Sequence, residues 1–226
     1  LPEVVWAMPR FGTFNLHASL LPEYRGAAPI NWAIINGDKE SGNTTFLLNH
    51  EIDKGAIIGQ QRTPIGDEEC VGDLYDRLMT MGAELVVESV EKIASGNIAP
   101  IEQPQEDANL RPAPKIFKDM CEVDWSANGT QIVNFVRGLS PYPAAWSPMF
   151  MNGEERGSAK IFEVKFEQKA HNGEVGKIFS DGKESISVSC ADGIIHIRSM
   201  QMAGKKRMSN HDLLLGFRDI ESYSFR

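Results

Sequence analysis

Cysteine is scarce in this chain. Cys70, Cys121 and Cys190 are spread through 226 residues, and no two form a CxxC pair. That odd count and wide spacing exclude a disulfide framework and a cysteine zinc site; they read as free thiols in a reducing compartment. Long apolar runs are missing too. No stretch reaches the roughly 18 residues that a membrane-crossing helix needs, so no membrane segment is expected. The chain does not open on the basic, apolar and small-residue pattern of a secretory leader, so none is expected. Nor is there excess positive charge. Asp and Glu number 31 against 23 Lys and Arg, a net charge of -8. Such a balance excludes a protein that coats nucleic acid by charge alone. Internal repeats and low-complexity tracts are also absent.

What remains is ordinary globular sequence, 42% apolar, long enough for one large domain or two small ones. The charge is uneven. Residues 1–150 carry 20 acidic and 11 basic side chains, whereas residues 151–226 carry 11 and 12. A compact basic cluster, Lys205-Lys206-Arg207, follows Gly204. By itself it fits a solvated turn as well as a phosphate contact.

Punctuation by Pro and Gly divides the chain. Residues 1–9 read as a short helix, with Pro2 in its first turn and Pro9 ending it. A strand over Thr13–Ala18 follows. Pro29–Asn36 reads as a helix closed by Gly37. Thr44–Leu48 and Ala56–Ile65 read as strands joined through an Asp53-Lys54-Gly55 turn. Leu74, Leu78, Met81 and Leu85 recur at helical spacing and predict a long helix over Val71–Ala94. Residues 99–120, rich in Pro and Gln, read as a linker lying over a surface. A second module begins near residue 121. It holds a helix at Thr130–Leu139, a bend at Pro141-Tyr142-Pro143 before Trp146, and strands at Ala159–Phe166, Gly176–Phe179, Ser185–Ser189 and Ile194–Met200. Several short strands in so few residues predict a small barrel.

The chemistry concentrates near the start. In Phe14-Asn15-Leu16-His17-Ala18, strand alternation sends Phe14 and Leu16 to one face and Asn15 and His17 to the other. Asn is disfavoured inside strands. Asp53 follows His17 by 36 residues, in a glycine turn. Taken singly, each has an ordinary structural reading: a hydrogen-bonded Asn, a packed His, a turn-forming Asp. Together, an amide, an imidazole and a carboxylate suit attack on a carbonyl carbon.

The segment Asn15-Leu16-His17-Ala18-Ser19-Leu20-Leu21-Pro22 resembles the N-x-H-x-S-L-L-P signature of the 10-formyltetrahydrofolate-dependent formyltransferases. Ile52-Asp53-Lys54-Gly55 is similar to the [LI]-D-x-G loop of that family, at the family's spacing. Three segments of the second module resemble the members that act on methionyl-tRNA. They are Val123-Asp124-Trp125-Ser126, Pro141-Tyr142-Pro143-Ala144-Ala145-Trp146, and Met202-Ala203-Gly204-Lys205-Lys206-Arg207-Met208-Ser209.

This resemblance implies an α/β protein. Residues 1–98 would be the C-terminal half of a Rossmann-like catalytic domain, its N-terminal half absent. Residues 99–120 would be the linker, and 121–226 a small open β-barrel, OB-like, that helps hold tRNA. It implies formyl transfer from 10-formyltetrahydrofolate to the α-amine of initiator methionyl-tRNA. Asn15, His17 and Asp53 would be catalytic. Ser19, Leu20, Leu21 and Pro22 would line the folate site, and Lys205, Lys206 and Arg207 would contact tRNA. No metal, no membrane association, a cytoplasmic location and a monomeric complete protein are expected. Two other readings stay open at this point: a 10-formyltetrahydrofolate hydrolase or related folate-dependent formyltransferase, and an inactive fragment that only binds.

Overall fold

The computed structural model describes residues 2–104, 109–171 and 174–226. Leu1 of the expected first helix and residues 105–108 of the expected linker lie outside them. The chain forms two compact units. One comprises Leu1–Ala33 with Asp38–Ile116, the other Ile34–Gly37 with Phe117–Arg226.

The first elements are α1 (Glu3–Trp6), the four-residue strand β1 (Phe14–His17) and α2 (Pro29–Ile35), of which Ile34 and Ile35 count with the second unit. Strands β2 (Glu40–Leu47) and β3 (Ile57–Pro64) complete an antiparallel sheet in the order β1-β2-β3. The sheet is backed by α3 (Val71–Ala94), which begins and ends where its apolar period predicts. Leu74, Leu78 and Leu85 are buried on that helix. Burial of each contributes about 2 kcal/mol of transfer free energy. Gly82 lets the helix approach, since a Cβ there would lie 2.7 Å from Leu16 Cδ2.

Strand β2 starts four residues earlier than its β-branched run suggests. Ser41, Gly42 and Asn43 are poor strand formers, yet all are buried. Tertiary contacts overrule their propensity. Asn43 Nδ2 donates to Leu78 O at 2.8 Å, and Gly42 fits where a Cβ would lie 2.0 Å from Gln61 O. One step on, Thr45 Oγ1 and Ser89 Oγ of α3 share a hydrogen bond of 2.7 Å. The segment after α3 is bound back by its own backbone. Ile101 pairs with Ile57 through two hydrogen bonds, and Ala113 pairs with Gly26.

The second unit carries α4 (Gly129–Leu139), whose first turn is capped by Asn128 accepting from Gln131 N. Its strands are β4 (Ala145–Met151), β5 (Glu154–Glu167), β6 (Ile178–Ser180), β7 (Ile186–Cys190), β8 (Gly193–Met202) and, after α5 (Asn210–Gly216), β9 (Tyr223–Phe225). They form one antiparallel sheet in the order β6-β7-β8-β5-β4-β9. Its outer strands meet. Lys177 bridges Ser224, and Phe225 N donates to Gly176 O at 2.8 Å, so the sheet is barrel-like. Trp125 stacks on Phe225 inside, at 5.1 Å between ring centroids, and its Nε1 donates to Ser147 Oγ. The strand and helix patterns read from the sequence did not include β4, α5 or β9. Pro148 interrupts β4 at a register shift, a tolerated position for proline.

Candidate active site

Alternation along β1 works as expected. Leu16 turns toward α3, while Asn15 and His17 share the opposite face, Asn15 exposed and His17 buried. The register sets Phe46 opposite Asn15 and Thr44 opposite His17. The His17 ring meets Phe46 edge-on at 6.5 Å.

His17 Nε2 lies 2.8 Å from the carbonyl oxygen of Tyr24. A carbonyl only accepts, so Nε2 carries the proton and donates. Nδ1 then faces Asp53 Oδ2 at 3.8 Å. That separation is an ion-pair distance and too long for a hydrogen bond. The tautomer is therefore selected by the Tyr24 carbonyl. Asp53 Oδ2 instead accepts from Gly26 N at 2.9 Å. Both side chains are largely shielded from solvent, 7% exposed for His17 and 15% for Asp53.

Two glycines permit this arrangement. Gly26 has φ +128°, and a Cβ there would sit 2.4 Å from Ala113 O. Gly55 comes so close to the β2 end that a Cβ would lie 1.6 Å from Leu47 O. Between them Asp53 itself adopts φ +54°. Its turn is held by Gln103, a buried side chain whose Nε2 donates to Asp53 O at 3.0 Å and Gly55 O at 2.7 Å.

Ser19 is fully buried. Its Oγ donates to Glu23 O, and its carbonyl accepts from Thr44 Oγ1 at 2.6 Å. Thus it braces the corner after β1. Leu21 is anchored through Thr44 Oγ1 to its N–H and Gln60 Nε2 to its carbonyl. Leu20, Leu21 and Pro22 help line a cleft of about 440 Å³. Pro22 also borders a second cleft of about 420 Å³, with Gly26, Ile52, Lys54 and Arg111.

In the second unit Lys205, Lys206 and Arg207 are all exposed. They are not equivalent. Arg207 lies 4.4 Å above the Phe162 ring and bonds Ser199 Oγ, whereas Lys205 and Lys206 directly follow a turn at Gly204. Burial pushes the thiols of Cys70, Cys121 and Cys190 up, which favours their uncharged form. Among the described residues no group of three or more His, Cys, Asp or Glu could hold a metal ion. Among them, too, no helix is long and apolar enough to cross a membrane.

The family profile described as "Formyl transferase" matches residues 1–90, and "Formyl transferase, C-terminal domain" matches residues 115–218. Methionyl-tRNA formyltransferase of Parabacteroides distasonis is 54% identical over 229 residues, covering 99% of this chain and 70% of that protein. The enzyme of the same name from Bacteroides thetaiotaomicron is 52% identical over 227 residues, with the same coverage. The chain belongs to the methionyl-tRNA formyltransferase family.

Solved structures agree on the fold. HypX from Aquifex aeolicus in complex with tetrahydrofolic acid gives a TM-score of 0.67 at 22% identity, covering 94% of this chain and 36% of that one. The sugar 3N-formyl transferase WlaRD gives 0.63 at 23%, covering 85% and 66%. The formyltransferase domains are given by the family profiles; the comparisons lend no support to the expectation that half of the first one is missing.

Within this candidate site, sequence reasoning singled out Asn15, His17, Asp53 and the Ser19–Pro22 corner. It gave no role to Tyr24, Gly26 or Gln103. The first two act through backbone atoms, which carry no side-chain signature. Only the glycine at 26 hinted at a special backbone. Gln103 looked like one more polar residue of a linker.

Proposed function

We propose that the protein moves a formyl group from N10 of 10-formyltetrahydrofolate to the α-amine of methionine esterified to initiator tRNA. In this reading the amine nitrogen bonds to the formyl carbon, giving a tetrahedral carbon with an oxyanion. The bond to N10 then breaks, and the proton lost by the amine ends on N10. Asn15 Nδ2 and, in the protonated ring, His17 Nδ1 donate to the oxyanion. Donors of this kind contribute about 3–4 kcal/mol each to transition-state stabilisation. The Asp53 carboxylate balances the imidazolium and accepts the amine proton, directly or through water. No covalent intermediate is needed, and Ser19, with its hydroxyl committed to Glu23 O, serves as a brace.

One observation carries this reading. His17 Nε2 is tied to Tyr24 O, and Asp53 Oδ2 is tied to Gly26 N, so Nδ1 and the carboxylate face each other across 3.8 Å. Both groups are oriented before any substrate arrives. Leu20, Leu21 and Pro22 would meet the folate through backbone and apolar surface. We read the first unit as Rossmann-like and the second as an OB-like barrel. Lys205, Lys206 and Arg207 would supply phosphate contacts and register for tRNA. In this reading the protein acts where charged tRNA is used, in the cytoplasm, and is a monomer when complete.

The test is kinetic. Asn15→Ala, His17→Ala and Asp53→Ala, each in the intact natural protein, should reduce kcat for formylation of charged initiator tRNA far more than they raise the folate KM. Variants that lose affinity with unchanged kcat would reduce these residues to binding roles.

A further inference from the structure

We propose that Gln103 is a positioning residue for formyl transfer: a buried carboxamide that fixes the backbone of the Asp53 turn and the loop holding His17 in one mutual geometry. The proposal rests on the catalytic role of Asp53 given above.

Every polar atom of the Gln103 side chain is engaged. Nε2 donates to Asp53 O at 3.0 Å and to Gly55 O at 2.7 Å. Oε1 accepts from Arg25 Nη2 at 2.9 Å and Nε at 3.3 Å. Arg25 Nη2 also donates to Pro104 O at 3.0 Å, which returns the guanidinium to the backbone beside Gln103. The residue is only 4% exposed. A buried carboxamide bonded at both ends has one orientation, because turning it over would set donors against donors and acceptors against acceptors.

What it holds matters more than how firmly. Asp53 adopts φ +54°, a conformation that costs a non-glycine residue about 1–2 kcal/mol. The Gln103 bonds on either side of Lys54 oppose its relaxation. At its other end Gln103 grips Arg25, the residue between Tyr24 and Gly26. Tyr24 O sets the His17 tautomer, and Gly26 N orients the Asp53 carboxylate. One side chain, 50 residues from Asp53 and 78 from Arg25 in sequence, therefore ties the two segments that aim the acid and the imidazole. A misplacement near 1 Å at such a site can lower a rate about 100-fold.

The experiment is a double-mutant cycle on kcat, measured with charged initiator tRNA and 10-formyltetrahydrofolate, in the intact natural protein. Gln103→Met keeps size and removes these four hydrogen bonds. It should lower kcat about 30-fold or more while both KM values stay within about threefold. In an Asp53→Asn background the same change should cost less than about threefold, because its effect runs through Asp53. A purely structural role would cost the same factor in both backgrounds, and that result overturns the proposal. So does a Gln103→Met enzyme with unchanged kcat. If Asp53→Asn itself leaves kcat unchanged, the catalytic reading of Asp53 falls and this proposal with it, a pattern distinct from the other two. Should Gln103→Met fail to fold, Gln103→Glu retains the acceptor for Arg25 and loses the two N–H donors. It should show the same loss of kcat, and full activity there overturns the proposal.

Discussion

Two turns of this protein use a positive φ beside charged side chains, and they are built in opposite ways. The turn at Asp53 is packed: Gly55 has no room for a methyl group, Gln103 bonds two of its carbonyls, and Gly26 N caps the carboxylate. The turn at Gly204 is open. A Cβ there would meet nothing within 4 Å, and Lys205 and Lys206 are exposed. The difference suits the role proposed for each. Transition-state stabilisation needs groups that are oriented before the reaction begins. Attraction of a polyanion needs only charge near a surface, and it tolerates movement. Rigidity is thus concentrated where displacement would be costly.

The sharpest way to break this comparison is to remove one charge from each turn. Asp53→Asn should lower kcat by about 100-fold or more, the range for loss of a positioned acid or base. Lys206→Ala should leave kcat at saturating tRNA unchanged. Steady-state kinetics that gave both variants the same profile would erase the distinction.

A methyl group probes the packing directly. Gly55→Ala should destabilise the first unit by more than about 3 kcal/mol, because the backbone of Leu47 must move. Gly204→Ala, at φ +73° in open space, should cost about 1–2 kcal/mol through backbone strain alone. Urea unfolding monitored by Trp fluorescence would compare the two.

Replacing Lys205 and Lys206 together with Gln should weaken tRNA binding. It should also flatten the dependence of log affinity on log salt by about one per lysine. An unchanged slope would return this cluster to a solvated turn.

The smallest effect lies at the start of α3. Arg77 bonds both carboxylate oxygens of Glu69 and holds that carboxyl below its usual range. A depressed carboxyl stabilises the fold above its unfolded value of 4.5, and the contribution is lost as pH falls through the lower folded value. Arg77→Met should remove about 0.5 kcal/mol at neutral pH and make the loss of stability between pH 6 and 3 less steep. Unfolding midpoints across that range would measure it.

Much of this could be read from residues alone. The apolar period of α3 marked both ends of the helix, and strand alternation gave the shared face of Asn15 and His17. Other features depended on partners distant in the chain. Buried contacts with α3 and β3 made a strand of Ser41, Gly42 and Asn43, against their own preference. Strand β9 has three residues, too few to display a period. Helix α5 did have a local mark, Ser209 three residues before Asp212, with the Ser209 side chain accepting from Asp212 N; that capping pattern would have located it. At the site, the side chains were legible from their types and spacing. The carbonyl of Tyr24, the N–H of Gly26 and the carboxamide of Gln103 were not, since their roles exist only after the chain has folded.

The meeting of β6 and β9 has a consequence for handling the protein. Unpaired strand edges template association with other chains. Here one three-residue stave satisfies both rims of the barrel at once. Clipping residues 223–226 would remove little mass but bare two rims, and the first symptom to expect is intermolecular pairing during purification.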